Sequence, residues 1–258
     1  MRTLSVALAF LLLVSCKSKA PSPVKPEVTG EDMKTLTVTA DNVMDGSLYF
    51  ADYNREFNEV LQGKDSILAS LIKIEIIDRK LFEQMQPTAV SFWEEDIKGA
   101  LKIDTILTLK TRDSILTFID DTTDTEMHKT FTYEGRLPVI NQFVVLGTYY
   151  EDYGYMLIDM NTGNTTATYQ AFPLISPDKK YIISLYANFY DGESGELSIE
   201  KIDADGAIIP LLNAGFTNWM PQETFFGTDG YLYASISHPS QYLRADADAH
   251  QYLRIKIL

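Results

Sequence analysis

The chain has 258 residues, 45% of them apolar and 12% aromatic, with a formal net charge of −14. That is enough apolar content for a sizeable core, and the abundance of Tyr and Phe among Thr, Ile and Val favours strands over helices. The acidic balance repels phosphate backbones and argues against a nucleic-acid partner; the single Cys excludes an internal disulfide framework and a multi-cysteine metal site.

The opening segment concerns location. Arg2 is followed by an apolar run from Leu4 to Val14, broken only by Ser5. The run is short for a bilayer span and suits the apolar region of a signal peptide. It leads into Leu13-Val14-Ser15-Cys16, which resembles the lipobox of bacterial lipoproteins. The resemblance implies cleavage before Cys16, with Cys16 as the lipid-attachment residue and several acyl chains giving stable anchoring. A plain secretory signal is the alternative, but no A-x-A-like site stands nearby. Residues 1–15 are therefore expected to be a signal peptide. Residues 16–34, rich in Lys, Pro and Ser, read as an extended, solvated tether. Lys17 in place of Asp implies, by resemblance to enterobacterial sorting, the outer membrane with the domain facing the periplasm.

The folded part is expected over 35–258, with a subdivision near residue 100 left open. "TLTVTA" (35–40) alternates like a strand, and Asp45-Gly46 is a turn signal before strand-like Leu48 to Phe50. The stretch 71–77, "LIKIEII", is read as a strand on its β-branched content, followed by a short helix that ends before Pro87. "DTILTL" (104–109) and "DSILTF" (113–118) are near-copies joined by Lys110-Thr111-Arg112, which predicts a hairpin. "DSIL" also occurs at 65–68; the Asp-Ser/Thr-Ile pattern resembles an O-glycosylation signal of Bacteroidota-type bacteria, but so short a pattern arises easily by chance and the residues are read as strand-entry residues.

The second half repeats one idea. "YMLIDMNTG" (155–163) and "LSIEKIDADG" (197–206) each run a strand into an Asp/Gly turn. Between them, "FPLISPDKKYIISLYA" (172–187) turns at Ser176-Pro177-Asp178, where Pro sets φ and Asp can accept from nearby amides. "ETFFGTDGYLYASI" (223–236) repeats strand, Asp-Gly turn, strand, and "QYLRIKIL" closes the chain as an alternating strand. The period is about forty to fifty residues, within the range of propeller blades. On "SPDKKY" and the following "DADG", the C-terminal half resembles a TolB/WD40-like propeller blade, although the Trp-Asp signature is missing. The run from "YMLIDMNTG" through "SPDKKY" to "NWMP" also resembles uncharacterised bacterial lipoproteins, a resemblance that carries no activity. The expected fold is mainly β, built of antiparallel meander sheets in a small or incomplete propeller-like arrangement. A β-sandwich is the alternative, and a short helix is expected in the N-terminal half.

Chemistry is sparse. Walker, Rossmann, H-E-x-x-H and G-x-S-x-G patterns are missing, so no catalytic residue, cofactor or metal is assigned. His128, His238 and His250 lie on separate segments. Asp246, Asp248 and His250 alternate in "RADADAH" and would share a face on a strand, but they lack the Gly and bidentate Glu of a calcium loop. "DGESGE" (191–196) reads as a long hairpin loop. Trp219, Tyr231 and Tyr233 are candidate ligand contacts, with Trp93 and Phe92 a weaker pair; core packing is the competing role for each aromatic. The expected function is a lipid-anchored, non-catalytic binding or scaffold module for an envelope protein or a glycan. An envelope hydrolase of glycan or peptide, and an inhibitor or accessory subunit of an envelope enzyme, are the alternatives.

Overall fold

A computed structural model describes residues 34–36, 52–54, 70–188, 194–217, 219–237 and 250–258. All of them fall within one unit spanning 31–258. The described elements are almost all strands: β1 (Lys34–Leu36), β2 (Asp52–Asn54), β3 (Ile72–Ile77), β4 (Ala89–Val90), β5 (Ala100–Ile103), β6 (Ile106–Lys110), β7 (Ile115–Ile119), β8 (Lys129–Leu137), β9 (Gln142–Tyr149), β10 (Tyr153–Asp159), β11 (Thr165–Tyr169), β12 (Leu174–Ile175), β13 (Tyr181–Asn188), β14 (Ser194–Ile202), β15 (Ile208–Thr217), β16 (Met220–Gly227), β17 (Leu232–Ser237) and β18 (His250–Ile257). The one described α-helix, α1, is Arg79–Met85. It is capped by the Asp78 carboxylate, which accepts from the Leu81 amide at 2.7 Å. Pro87 then forces a 3₁₀ turn. No described helix is long and apolar enough to cross a membrane.

The strands form four antiparallel meander sheets. Sheet I is β5-β6-β7, sheet II is β11-β10-β9-β8, sheet III is β12-β13-β14-β15-β2, and sheet IV is β1-β3-β18-β17-β16-β4. The later strands of each sheet take up successive parts of the chain, while strands from the N-terminal side join two of the sheets: β2 joins sheet III, and β1, β3 and β4 join sheet IV. In sheet IV, β3 pairs antiparallel with β18. The chain is mainly β and antiparallel, none of the sheets closes into a barrel, and four sheets are more layers than a two-sheet sandwich has.

Successive sheets pack face to face. Leu107 and Leu109 of sheet I meet Phe131, Phe143, Val145 and Ile158 of sheet II. Val144, Leu157 and Tyr169 of sheet II meet Ile175 and Ile182 of sheet III. Ile183, Leu197 and Phe216 of sheet III meet Ile72, Leu232 and Ile255 of sheet IV. The inner strands are therefore buried on both faces. In β9, Phe143 and Val145 point one way and Val144 the other, and the run loses the polar alternation of a half-exposed strand. The far face of sheet IV is covered by Leu81, Phe82 and Met85 of α1, packed on Ile77, Phe225 and Tyr233.

The turns match their sequence signals. Asp159 Oδ1 accepts from the amides of Asn161 and Thr162 at 3.0 and 2.7 Å. Asp203 Oδ1 accepts from those of Asp205 and Ala207 at 2.9 and 2.8 Å. The 104–109 and 113–118 copies form the β6–β7 hairpin. One expectation needs adjustment. Ser194 to Glu196 belong to β14, paired with β13 and β15, and not to a loop. Residues 37–50, 65–68 and the 189–193 part of the predicted loop lie outside the described residues, apart from the β1 portion already given.

One segment ties the sheets together. After β4, residues 91–98 cross to sheet II, where Glu94 and Arg136 exchange backbone hydrogen bonds of 2.9 and 3.0 Å. Trp93 Nε1 donates to Glu134 O at 2.8 Å. Gly135 allows this approach: it has φ +133°, and a Cβ there would lie 2.5 Å from Glu94 O.

Across the helix-covered face of sheet IV runs a row of directly opposed residues: Phe225, Tyr233, Arg254 and Glu75. Phe225 and Tyr233 stack with centroids 5.2 Å apart. Arg254 is ion-paired with Glu75, and both are buried. Lys73 adds a second cation 3.1 Å from Glu75 Oε1. Burial would raise the Glu75 carboxyl, but the hydrogen bonds and charges of Lys73 and Arg254 outweigh it and hold the group below the ordinary range. Removing Arg254 takes from the buried Glu75 carboxylate its buried counter-charge, while Lys73 is half-exposed. Arg254→Met is expected to cost about 3 kcal/mol, whereas Glu75→Leu with Arg254→Met recovers most of it; urea titrations of the three proteins check this.

Candidate functional site

Among the described residues, sheet IV borders two clefts of interest. The larger, of about 390 Å³, sits where the Ser176–Lys180 turn of sheet III meets the Thr228–Gly230 turn and the end of β18. Its polar lining is Ser176, Asp178, Thr228, Asp229 and Lys256; Pro177, Tyr181 and Ile257 supply apolar surface, with the buried Phe226 behind them. The volume lies in the range of small-ligand sites, and the mixture of walls and oriented polar groups suits one.

Local chemistry fixes each group. In the first turn, Ser176 Oγ donates to Asp178 Oδ1 at 2.7 Å and accepts from the Tyr181 amide at 3.0 Å. The Lys180 amide donates to Asp178 Oδ1 at 3.2 Å, and Lys179 takes φ +62° to close the loop. In the second turn, Asp229 accepts from the Tyr231 amide at 3.2 Å and from the Tyr233 hydroxyl at 2.8 Å. Gly230, at φ +80°, leaves room for Lys256 Nζ, which would lie 3.2 Å from a Cβ there. Lys256 Nζ stands 4.8 Å from the Tyr231 ring centroid, and the Arg254 guanidinium lies 4.1 Å from the same ring. The cleft thus carries two acceptor carboxylates and one donor ammonium, all on short, braced turns or strand ends.

The smaller cleft, of about 330 Å³, lies beside α1 and is lined by residues that include Arg79, Glu83, Gln86, Glu223, His250 and Tyr252. Its charged groups are largely paired: Arg79 with Glu83 at 2.7 Å and Gln86 Nε2 with Glu223 Oε1 at 2.6 Å. His250 Nε2 is buried there without a hydrogen-bond partner. Asp246 and Asp248, its companions in "RADADAH", and His238 lie outside the described residues, as does Cys16. His128 is exposed. Among the described residues no three His, Cys, Asp or Glu side chains come together in a group that could hold a metal ion.

The candidate aromatics part company. Trp219 has no exposed surface and packs edge-on against Phe216 in the core between sheets III and IV, with ring centroids 4.0 Å apart. Tyr233 is also fully buried, on the helix side of the same sheet. A residue with no solvent-facing surface cannot contact a ligand directly, so neither lines a groove. Tyr233 acts on the larger cleft from beneath, through its hydroxyl on Asp229. Tyr231 is half-buried and flanks the cleft through Lys256. Trp93 and Phe92 belong to the crossing segment; Trp93 meets Phe172 edge-on at 6.2 Å, and Lys179 lies over Phe92 at 5.3 Å. The cleft residues Asp178, Asp229 and Lys256 were readable only as turn and strand-end residues, because two different sheets bring them together.

Acid–base chemistry finds a different address. Glu200 on β14 stands opposite Ile182 and faces Tyr169 across the boundary between sheets II and III. The Tyr169 hydroxyl and Glu200 Oε2 are buried without a hydrogen bond of ordinary geometry, yet they are near enough for each to shift the other's titration. Burial pushes Glu200 up to about 7, opposed by the hydroxyls of Tyr169 and Ser198; burial and the neighbouring Glu200 both raise Tyr169. Glu200 lines neither cleft. Its consequence is for stability. Between the ordinary value of 4.5 and about 7 the folded chain holds the Glu200 proton more tightly than the unfolded chain. Stability therefore falls as pH rises through that window and levels off above it. The loss is expected to be about 2–3 kcal/mol. Glu200→Gln should remove this part of the slope, measured as the difference between variant and parent in urea unfolding at about pH 5 and about pH 8.

Compared with protein-family models, curated protein sequences and solved structures, the chain finds no match in any of the three.

Proposed function

We propose that this chain is a non-catalytic binding module of the bacterial envelope, held at the outer membrane by lipid on Cys16 and facing the periplasm, and that its larger cleft takes a hydroxyl-rich ligand, a unit of a glycan. The observation that carries the reading is the composition of that cleft: Asp178 and Asp229 as acceptors, Lys256 as donor, and the half-buried Tyr181 and Ile257 as apolar walls. Sugars present hydroxyls that both donate and accept around an apolar ring face, and carboxylates, an ammonium and aromatic surface match both halves.

Binding is favoured over hydrolysis by what the carboxylates already do. Asp178 is held by the Ser176 hydroxyl and the Lys180 amide, and Asp229 by the Tyr233 hydroxyl and the Tyr231 amide. Groups so braced orient a ligand well, whereas a glycosidase needs one carboxyl kept protonated beside the scissile bond. Anchoring is supported by Leu13-Val14-Ser15-Cys16 after the apolar run and by the Pro/Lys/Ser stretch that follows.

Two measurements test the proposal. On an array of envelope polysaccharides and their fragments, the parent protein is expected to retain at least one glycan. Lys256→Met and Asp178→Asn, both at solvent-facing ends of turns or strands, should each weaken that binding about tenfold, the effect of losing a hydrogen bond to a charged group. Retention of no glycan, or retention unaffected by both substitutions, would sink the ligand assignment. Separately, Cys16→Ser should move the protein from the membrane to the soluble fraction; a variant that still sediments with membranes would refute the anchor.

A further inference from the structure

Sheet I ends the stack. Its inner face is spent on sheet II, and its outer face is open. On β6, Leu107 and Leu109 point inward while Ile106, Thr108 and Lys110 point outward. The register of the three strands places Ile103, Ile106 and Ile119 in one cross-strand row and Leu101, Thr108 and Thr117 in the next; Lys110 and Ile115 form the last. The five Ile and Leu side chains are exposed, from 43% for Ile106 to 68% for Ile115.

We propose that this face is the contact between two copies of the chain, packed sheet on sheet about a two-fold axis. Three observations select a second copy. First, the chemistry is that of the faces which already stack sheets I to IV: flat, pleated surfaces of Ile and Leu. A sheet-on-sheet contact between copies repeats an interface this sequence makes internally. Second, the charge pattern singles out the patch. With a net charge of −14, two copies repel over most of their surface. The three rows contain no carboxylate and one cation, Lys110. Third, the area suffices. The five side chains expose roughly 500 Å² per copy, about 1,000 Å² for the pair, which is the size a specific interface has to clear.

The single charge also fixes the direction of the axis. An axis along the strands would set Lys110 against its own mate. An axis across the strands, through the middle row, reverses one sheet on the other. The Lys110 end of each copy then meets the end that carries the β5–β6 turn and Asp104 of the other. The outer Ile row of each copy covers the Ile115 row of its mate. In that arrangement Thr108 and Thr117 face their own symmetry mates across a gap of about 10 Å between the sheets, while Lys110 does not.

The experiment uses the full chain carrying Cys16→Ser, so that lipid and the native thiol play no part. Sedimentation equilibrium over about a hundredfold range of concentration should show a monomer–dimer equilibrium. Ile103→Lys with Ile119→Lys should weaken it at least about a hundredfold; both residues are exposed, and a melting curve like the parent's verifies that the variant is folded. In the same background, a short bismaleimide should join copies of Thr108→Cys and not of Lys110→Cys. A monomer at every concentration would overturn the proposal, and so would a dimer indifferent to the two lysines. So would a monomer in which the Thr108→Cys thiol is shielded from maleimide, since the cover would then come from the chain's own residues. Glycan retention in the cleft is read separately, so either assignment can fail without the other.

Discussion

The fold depends on joining its two ends. β3 lies some 180 residues before β18 in the chain, yet Ile72 to Ile77 pair with Tyr252 to Ile257 strand to strand. The β3 strand extends sheet IV beyond β18, and its Ile72 and Ile74 supply part of the core facing sheet III. The buried Arg254–Glu75 pair sits at the centre of that seam. A buried ion pair adds little net stability compared with apolar residues of the same shape, but leaving either charge alone is costly. Slipping the seam by one residue would bury Glu75 without Arg254 and turn Ile72 and Ile74 away from the core. Register is thereby enforced by penalty from both faces of the strand.

The same seam organises the larger cleft. Arg254 lies over the Tyr231 ring and belongs to the row that contains Tyr233; Tyr233 fixes Asp229, and Tyr231 steadies Lys256. Two of the three charged groups in the cleft are therefore held by residues on the buried row or beside it. The third, Asp178, is held by its own turn in sheet III, and the core between sheets III and IV sets the distance between the turns. A ligand site placed on rigid turns between two packed sheets loses little freedom on binding, which favours affinity from few contacts.

Much of the secondary structure was legible in the residues. Asp159, Asp203 and Asp229 each precede a turn in which the carboxylate caps nearby amides, and Gly163, Gly206 and Gly230 take the positive φ those turns require. The near-copies at 104–109 and 113–118 form a hairpin because both alternate and the linker is short. The strand at 72–77 and the helix after it follow from β-branching, the Asp78 cap and Pro87. The aromatic candidates were not legible in this way. Trp219, Tyr231 and Tyr233 are alike in type and close in sequence, yet they separate into core, cleft edge and buried brace. Alternation says that two neighbours face opposite sides of a sheet; it does not say what lies on each side.

Sequence by itself determined the local elements: the strands, their turns, the meander order and the carboxylate caps, each set by interactions within a few residues. It also carried the apolar run and the lone Cys16 on which the anchoring proposal rests. Tertiary structure alone decided which faces are interior. Ile106 and Leu107 are adjacent, similar in hydropathy and on the same strand, but Leu107 is buried against sheet II and Ile106 is exposed. It likewise decided that Glu75 would find Arg254, that Lys256 would share a cleft with Asp178 and Asp229, and that sheet I would be left with an open apolar face. The physical reason is common to all of these. Burial and charge pairing are properties of surfaces brought together by packing, and contacts across sheets depend on residues far apart in the chain, whose meeting no local pattern encodes.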